Sequence, residues 1–112
     1  MRRKLIRELV FETYCEFIWN CQLEDLYKYV WKKYRYEINI DGATGKFIVV
    51  ETREEVIGLI IWVSNKEELV HEISHLVFEL MRIKGIPINK DTEEVFTHLH
   101  NYYLQSIKRI IK

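Results

Sequence analysis

Hydrophobic and polar positions change period along the chain, and the change divides its first part into a strand-rich segment and a helix. Residues 4–19 mix β-branched and aromatic side chains with charges. This pattern favours two short extended pieces, although a helix fits it nearly as well. From Leu23 to Tyr34 the apolar positions recur at helical spacing, and Glu24 and Asp25 lie in the first turn, where the helix dipole favours acids. The predicted apolar stripe of this helix is Leu23, Leu26, Tyr27, Val30, Trp31 and Tyr34.

The segment after this helix predicts a turn and a β-hairpin. Residues 41–45, Asp-Gly-Ala-Thr-Gly, have the composition of a turn. Two β-rich runs follow at 46–50 and 56–63, and a charged segment joins them. We expect the second run to be an edge of the sheet, where it could pair with an extended peptide.

A long helix is predicted after the hairpin. Ser64 and Asn65 are favourable N-caps, and two glutamates follow them in the first turn. The helix should end near Lys84, because Gly85 favours a C-terminal cap and Pro87 blocks continuation.

A last helix completes the order of elements. Asp91 or Thr92 is expected to cap it, and it should run to about Ile110. The sequence contains neither repeats nor a linker, so residues 1–112 are expected to form one domain. The order of a strand-rich segment, a helix, a hairpin and two helices predicts an α+β fold, in which a small antiparallel sheet packs on the last two helices.

Composition and charge narrow the classes of function. The 112-residue chain is 48% apolar, enough for a single core, and its 17 basic residues balance 17 acidic ones. This balance gives no reason to expect nucleic acid or a membrane surface as a partner. Two cysteines, Cys15 and Cys21, are too few for a disulfide framework, and the longest apolar run is too short to span a bilayer. We expect a cytoplasmic protein without a signal peptide.

The strongest chemical signal is the HExxH motif, His71-Glu72-Ile73-Ser74-His75, in the predicted long helix. Histidines at i and i+4 lie about 40° apart around a helix and roughly 6 Å apart along it, so both can bind one Zn²⁺. The glutamate between them can accept a proton from water. The alternative is that these residues form a solvated polar face, which matches the motif by chance and binds no metal. The opposite face of the helix is apolar and consists of Leu69, Ile73, Leu76, Leu80 and Ile83.

A catalytic zinc needs a third protein ligand, and the last helix offers one. Eighteen residues separate His75 from Glu94, which shares a helical face with His98 and Asn101. Glu93 points about 100° away from Glu94 and is expected to be a solvated carboxylate. We therefore predict Glu94 as the third ligand. The alternative is that both glutamates merely favour the positive end of the helix dipole.

Further motifs accompany the HExxH sequence: Ile61-Trp62-Val63, Leu69-Val70, Gly85-Ile86, Asp91-Thr92-Glu93-Glu94 and the turn at 41–45. Together these motifs, which span about two thirds of the chain, resemble small phage and prophage proteins described as zinc peptidases. The distance from the motif to Glu94 is similar to that in the thermolysin-like gluzincins. The resemblance implies a minimal zincin-like fold and a viral or prophage origin, but it supplies no substrate.

His98 departs from the gluzincin pattern. In thermolysin-like enzymes the residue four positions after the glutamate ligand is an aspartate that orients a zinc-bound histidine, and here His98 holds that place. His98 could instead donate a proton to the oxyanion, or act as a fourth ligand that closes the site and makes the zinc structural. Tyr102 and Tyr103 are the other candidates for an oxyanion donor.

The residues and the resemblance together predict a zinc-dependent metallopeptidase, with His71, His75 and Glu94 holding Zn²⁺ and Glu72 as general base. Its substrate would be a peptide or a protein, including a host protein, and the chain would be a monomer or a homodimer. Another class of function also fits: a viral protein that blocks a host factor and uses the fold as a scaffold, with zinc structural or absent. Glu72→Gln separates the two, because only a peptidase needs the base.

Overall fold

The computed structural model describes residues 1–9, 11–39 and 42–111, which form a four-stranded sheet with helices on both faces. The strands are β1 (Arg2–Glu8), β2 (Thr13–Trp19), β3 (Gly45–Glu51) and β4 (Val56–Val63). The helices are α1 (Leu23–Tyr34), α2 (Leu69–Ile83) and α3 (Glu93–Ile110), and 3₁₀ turns at Lys66–Glu68 and Lys90–Thr92 precede the last two. The predicted order of elements and the α+β class are confirmed. Two residues of the predicted segments, Val10 and Asp41, lie outside the described residues.

The sheet is mixed, so the prediction of an antiparallel sheet is wrong for one pair of strands. The strand order is β1-β2-β4-β3, in which β1 with β2 and β3 with β4 are antiparallel, whereas β2 and β4 run parallel. The 12-residue helix α1 explains this direction, because it carries the chain across one face of the sheet after β2. As a result β4 is a central strand, and the prediction that residues 56–63 form an edge is also wrong. The edges are β1 and β3.

Helix α1 covers one face of the sheet with a narrow apolar strip. Its fully buried residues are Leu26 and Val30. Trp31, predicted for the same stripe, is 51% exposed, and the guanidinium of Arg35 lies over its ring. The other members of the predicted stripe, Leu23, Tyr27 and Tyr34, are half-buried and pack against the same core, so Trp31 is the one stripe residue that lies in solvent. The sheet residues beneath α1 are Ile18, Ile48, Val50, Ile60 and Trp62.

Helices α2 and α3 cover the other face and enclose the larger core. Helix α2 buries Leu69, Ile73, Leu76 and Leu80, as the sequence predicts, whereas Ile83 is 40% exposed because it is the last residue of the helix. Helix α3 buries Leu99, Tyr103 and Ile107 against the same core. The face of α2 opposite His71 and His75 is therefore held in place by apolar packing against the core. No helix in the described part of the chain is long and apolar enough to cross a membrane.

Side-chain caps precede both long helices, and a glycine ends the first of them. The side chain of Asn65 accepts a hydrogen bond from the N–H of Glu67, as expected for an N-cap. Gly85 has a φ of +69°, which suits the predicted C-terminal cap of α2. Thr92 is the N-cap residue of α3, one of the two residues predicted for this place, but its side chain makes no capping bond to α3. Side-chain capping comes from Asn89 before the 3₁₀ turn, which accepts bonds from the N–H groups of Asp91 and Thr92. Oγ1 of Thr92 accepts a hydrogen bond from the backbone N–H of Asn89, so the two residues form a capping box.

Candidate metal centre

The two motif histidines form an exposed pair on α2. Their Nε2 atoms lie 3.1 Å apart, and the rings meet edge to face with centroids separated by 4.6 Å. Two nitrogens at this distance cannot both point a lone pair at the other without repulsion, so they must share either a proton or a cation. Helical spacing alone produces this arrangement, since positions i and i+4 lie on one face.

The separation of the two nitrogens suits a shared zinc ion. Two histidine nitrogens bound to tetrahedral zinc at about 2.0–2.1 Å lie about 3.3 Å apart. The 3.1 Å between His71 and His75 differs from this value by only a few tenths of an ångström. The pair thus requires little rearrangement to bind a metal.

Glu72 lies beside the histidine pair but is buried. Only 4% of the residue is exposed, and its Oε1 accepts a hydrogen bond of 3.1 Å from the backbone N–H of Phe47 in β3. One ligand atom from each of His71, Glu72 and His75 lies within 4.8 Å of the others. The structure thus brings together a carboxylate and two imidazoles.

Gly45 allows β3 to pass this close to α2. A Cβ atom at this position would lie 2.9 Å from the Cβ of Glu68, and 3.4 Å from both Cγ and Oε2 of Glu72. The contact with Glu68 is shorter than van der Waals packing permits, so any larger residue would push the strand away from the helix. The glycine therefore helps to keep Glu72 under the edge of the sheet.

Glu72 has no cationic partner among the described residues. The ion pairs in that part of the chain join Arg7 to Glu12, Lys33 to Glu16, and Arg82 to Glu79. A buried carboxylate without a cation is costly, and a bound metal ion would compensate for it.

His100 is the histidine of α3 that contacts α2. Its Nε2 lies 3.3 Å from the carbonyl oxygen of Val70 and 3.2 Å from Oγ of Ser74. Since a carbonyl only accepts hydrogen bonds, Nε2 of His100 must carry the proton. Sequence reasoning gave this residue no role, because its neighbour depends on how the two helices pack.

The predicted third ligand Glu94 does not join the histidine pair. Helices α2 and α3 run antiparallel, since His100 contacts Ser74 and Phe96 packs on Phe78 at 4.9 Å. Glu94 precedes Phe96 and so lies towards the C-terminal end of α2, exposed to solvent. His98 is also exposed and lines a shallow cavity on α3 with Tyr102 and Arg109. Ligation by Glu94 or His98 stays a prediction.

The two candidate tyrosines bind elsewhere. The hydroxyl of Tyr102 donates a 2.6 Å bond to the carbonyl of Arg7 in β1. The hydroxyl of Tyr103 lies 3.4 Å from Oγ1 of Thr13, and burial raises its pKa, so it stays protonated. Both hydroxyls are therefore engaged with the strands β1 and β2.

The sequence contained no signal for the contact between Glu72 and Phe47, because the partner is a backbone group. Gly45 was visible as a turn residue, but its close approach to Glu72 depends on how β3 packs against α2. Comparison of the chain with protein-family models, with curated proteins and with solved structures finds no significant match.

Proposed function

We propose that the chain is a zinc-dependent metallopeptidase whose centre is His71, Glu72 and His75. The observation that carries this proposal is the 3.1 Å separation of the two Nε2 atoms, with a buried carboxylate within 4.8 Å of them.

The chain's own groups supply binding and proton transfer. His71 and His75 would hold a zinc ion. Zinc, when bound, polarises a carbonyl group and lowers the pKa of water towards neutrality. Glu72 accepts a proton from the attacking water and passes it to the leaving amine. Because Glu72 is buried against β3, its carboxylate has few alternative positions, and this favours transfer at one fixed point.

Glu94 remains our proposal for a third ligand, and it implies a movement. Its carboxylate is exposed at the start of α3 and would reach the histidines only if this end of the helix approached them. The histidine pair would hold the ion, and Glu94 would supply the third ligand. The variants Glu94→Ala and Glu93→Ala test whether Glu94 is a ligand, because only Glu94→Ala should weaken zinc binding. Equal zinc affinity in both variants would remove Glu94 from the site.

The position of β3 at the edge of the described sheet supports an extended peptide as the substrate. Glu72 contacts β3, whereas Ser74 contacts α3, so the histidine pair on the intervening face of α2 lies between them. An extended chain beside β3 would cross in front of the histidines. We propose a peptide or protein substrate, and a host protein if the chain is viral.

Cleavage of a peptide library tests the proposal. Zinc-loaded protein is incubated with a mixture of random peptides, and new termini are identified by mass spectrometry. We expect cleavage that a chelator stops, that added zinc restores, and that is absent from His71→Ala. A zinc-loaded wild-type protein without cleavage would favour the host-factor blocker, and cleavage by His71→Ala would point to a contaminating protease.

A further inference from the structure

We propose that the backbone of β3 positions the catalytic base, with the N–H of Phe47 holding Oε1 of Glu72 while Oε2 accepts the proton. Phe47 thus acts through its main chain as a positioning residue. This inference rests on the proposed function, because it assigns separate tasks to the two oxygens of the base.

The position of β3 at the edge of the sheet makes this contact possible. Within the described part of the chain β3 pairs only with β4, so every second N–H group of β3 faces away from the sheet. The N–H of Phe47 is one of these, since it donates to Oε1 of Glu72 at 3.1 Å. Val49 follows two residues later, and its N–H therefore faces the same way.

The second oxygen of Glu72 lies against Gly45. An added Cβ there would just touch Oε2 at 3.4 Å and would lie only 2.9 Å from the Cβ of Glu68, so a larger residue at this position would disturb the contact between β3 and α2. A carboxylate fixed at Oε1 can offer only Oε2 to the water, which prevents both oxygens from binding the metal. Glu72 thereby stays a base and does not become a bidentate ligand.

The N–H group of Phe47 does not need Glu72 as a hydrogen-bond acceptor. An outward N–H group on an edge strand can bond to water at little cost. By contrast, a glutamate side chain has three rotatable bonds, and a misplacement of about 1 Å at a reacting group lowers turnover about 100-fold. The hydrogen bond from Phe47 therefore matters because it fixes the position of the Glu72 carboxylate.

The test removes the N–H group without touching Glu72. Phe47→Pro deletes the donor at an edge position where proline is tolerated. Val49→Pro is the matched control, because it deletes an outward N–H of the same strand. Phe47→Ala is the second control, since it removes the side chain and keeps the N–H. All variants are compared as zinc-loaded full chains, with the library peptide that the wild type cleaves best.

We expect Phe47→Pro to lower kcat about 100-fold relative to Val49→Pro, with KM and zinc affinity unchanged. Phe47→Ala should keep a kcat close to that of the wild type. Equal kcat values for the two proline variants would overturn the inference and leave the proposed function intact.

Amide hydrogen exchange tests the contact without turnover. In metal-free protein, Glu72→Ala should speed exchange at the Phe47 amide, whereas Glu68→Ala, one turn earlier on the same face, should not. Unchanged exchange in Glu72→Ala would overturn the inference. If exchange responds as expected but zinc-loaded wild type cleaves nothing, the contact exists and the proposed function is the part that fails.

Discussion

Two glutamates are buried to the same extent on opposite faces of the sheet, and their surroundings differ. Glu16 and Glu72 are each only 4% exposed. On the α1 face, Nζ of Lys33 lies 2.7 Å from Oε2 of Glu16 and also donates to the hydroxyl of Tyr29. On the α2 face, Glu72 accepts a hydrogen bond from the backbone N–H of Phe47 and lies beside the exposed imidazoles of His71 and His75.

We attribute a structural role to the Glu16 carboxylate and propose a catalytic one for Glu72, and their different surroundings are the reason. Burial alone lowers the pKa of Lys33, but its bonds to Glu16 and Tyr29 outweigh burial and raise the pKa, so the lysine stays charged. Glu16 is thus neutralised by a residue of its own chain. Glu72 forms no ion pair with a residue in the described ranges, and we propose that a bound metal ion takes the part that Lys33 plays for Glu16.

The comparison predicts unequal losses of turnover when each glutamate loses its charge. Glu72→Gln should lower kcat/KM on a cleaved peptide by about 10²–10⁴-fold, because the base is lost while the shape is kept. Glu16→Gln should leave the kcat/KM of the folded protein close to the wild-type value. Comparable losses in the two variants would show that Glu72 is only another structural carboxylate.

Zinc should stabilise only proteins that keep the histidine pair. At a free zinc concentration 100 times the Kd, binding raises the free energy of unfolding by about 2.7 kcal/mol. We expect this gain in urea denaturation of the wild type and of Lys33→Met, but not of the double variant His71→Ala/His75→Ala. A gain of the same size in the double variant would place the zinc elsewhere.

Loss of the lysine should destabilise the α1 face without affecting the metal. Lys33→Met leaves the Glu16 carboxylate buried without its cation, which should lower the free energy of unfolding by about 1–3 kcal/mol. Zinc affinity should not change. Adding Glu16→Met should recover part of the loss, because the remaining buried charge is then gone. A double variant less stable than Lys33→Met would contradict this explanation.

The smallest effect is expected from alkaline pH. The pKa of Lys33 in the folded chain is raised above its ordinary value of 10.5. Its contribution to stability is therefore complete below pH 10.5 and is lost as the pH rises through the raised pKa. The difference in unfolding free energy between wild type and Lys33→Met should be constant from neutral pH to about 10 and shrink above it. A difference that persisted at higher pH would indicate that packing, rather than charge, separates the two proteins.

Features set by neighbours along the chain were predictable from the sequence. The HExxH helix, the β3–β4 hairpin and the cap at Asn65 each depend on residues within a few positions. The meeting of His71 and His75 follows from helical spacing in the same way.

Features set by packing between distant segments were not predictable. The parallel pairing of β2 with β4 depends on the path of α1, and no local pattern encodes it. The place of Glu94 depends on how α3 lies along α2, which a linear spacing of eighteen residues does not determine. The bond from Phe47 to Glu72 involves a backbone donor, which every residue except proline has.

The most direct test of the account is the zinc content of the purified protein, measured by elemental mass spectrometry. After zinc is supplied and excess is removed, we predict one zinc per chain in the wild type and in Glu16→Gln. His71→Ala and His75→Ala should contain none. Wild-type protein that retains no zinc, or histidine variants that retain as much as the wild type, would contradict the assignment of the His71–His75 pair as the metal centre.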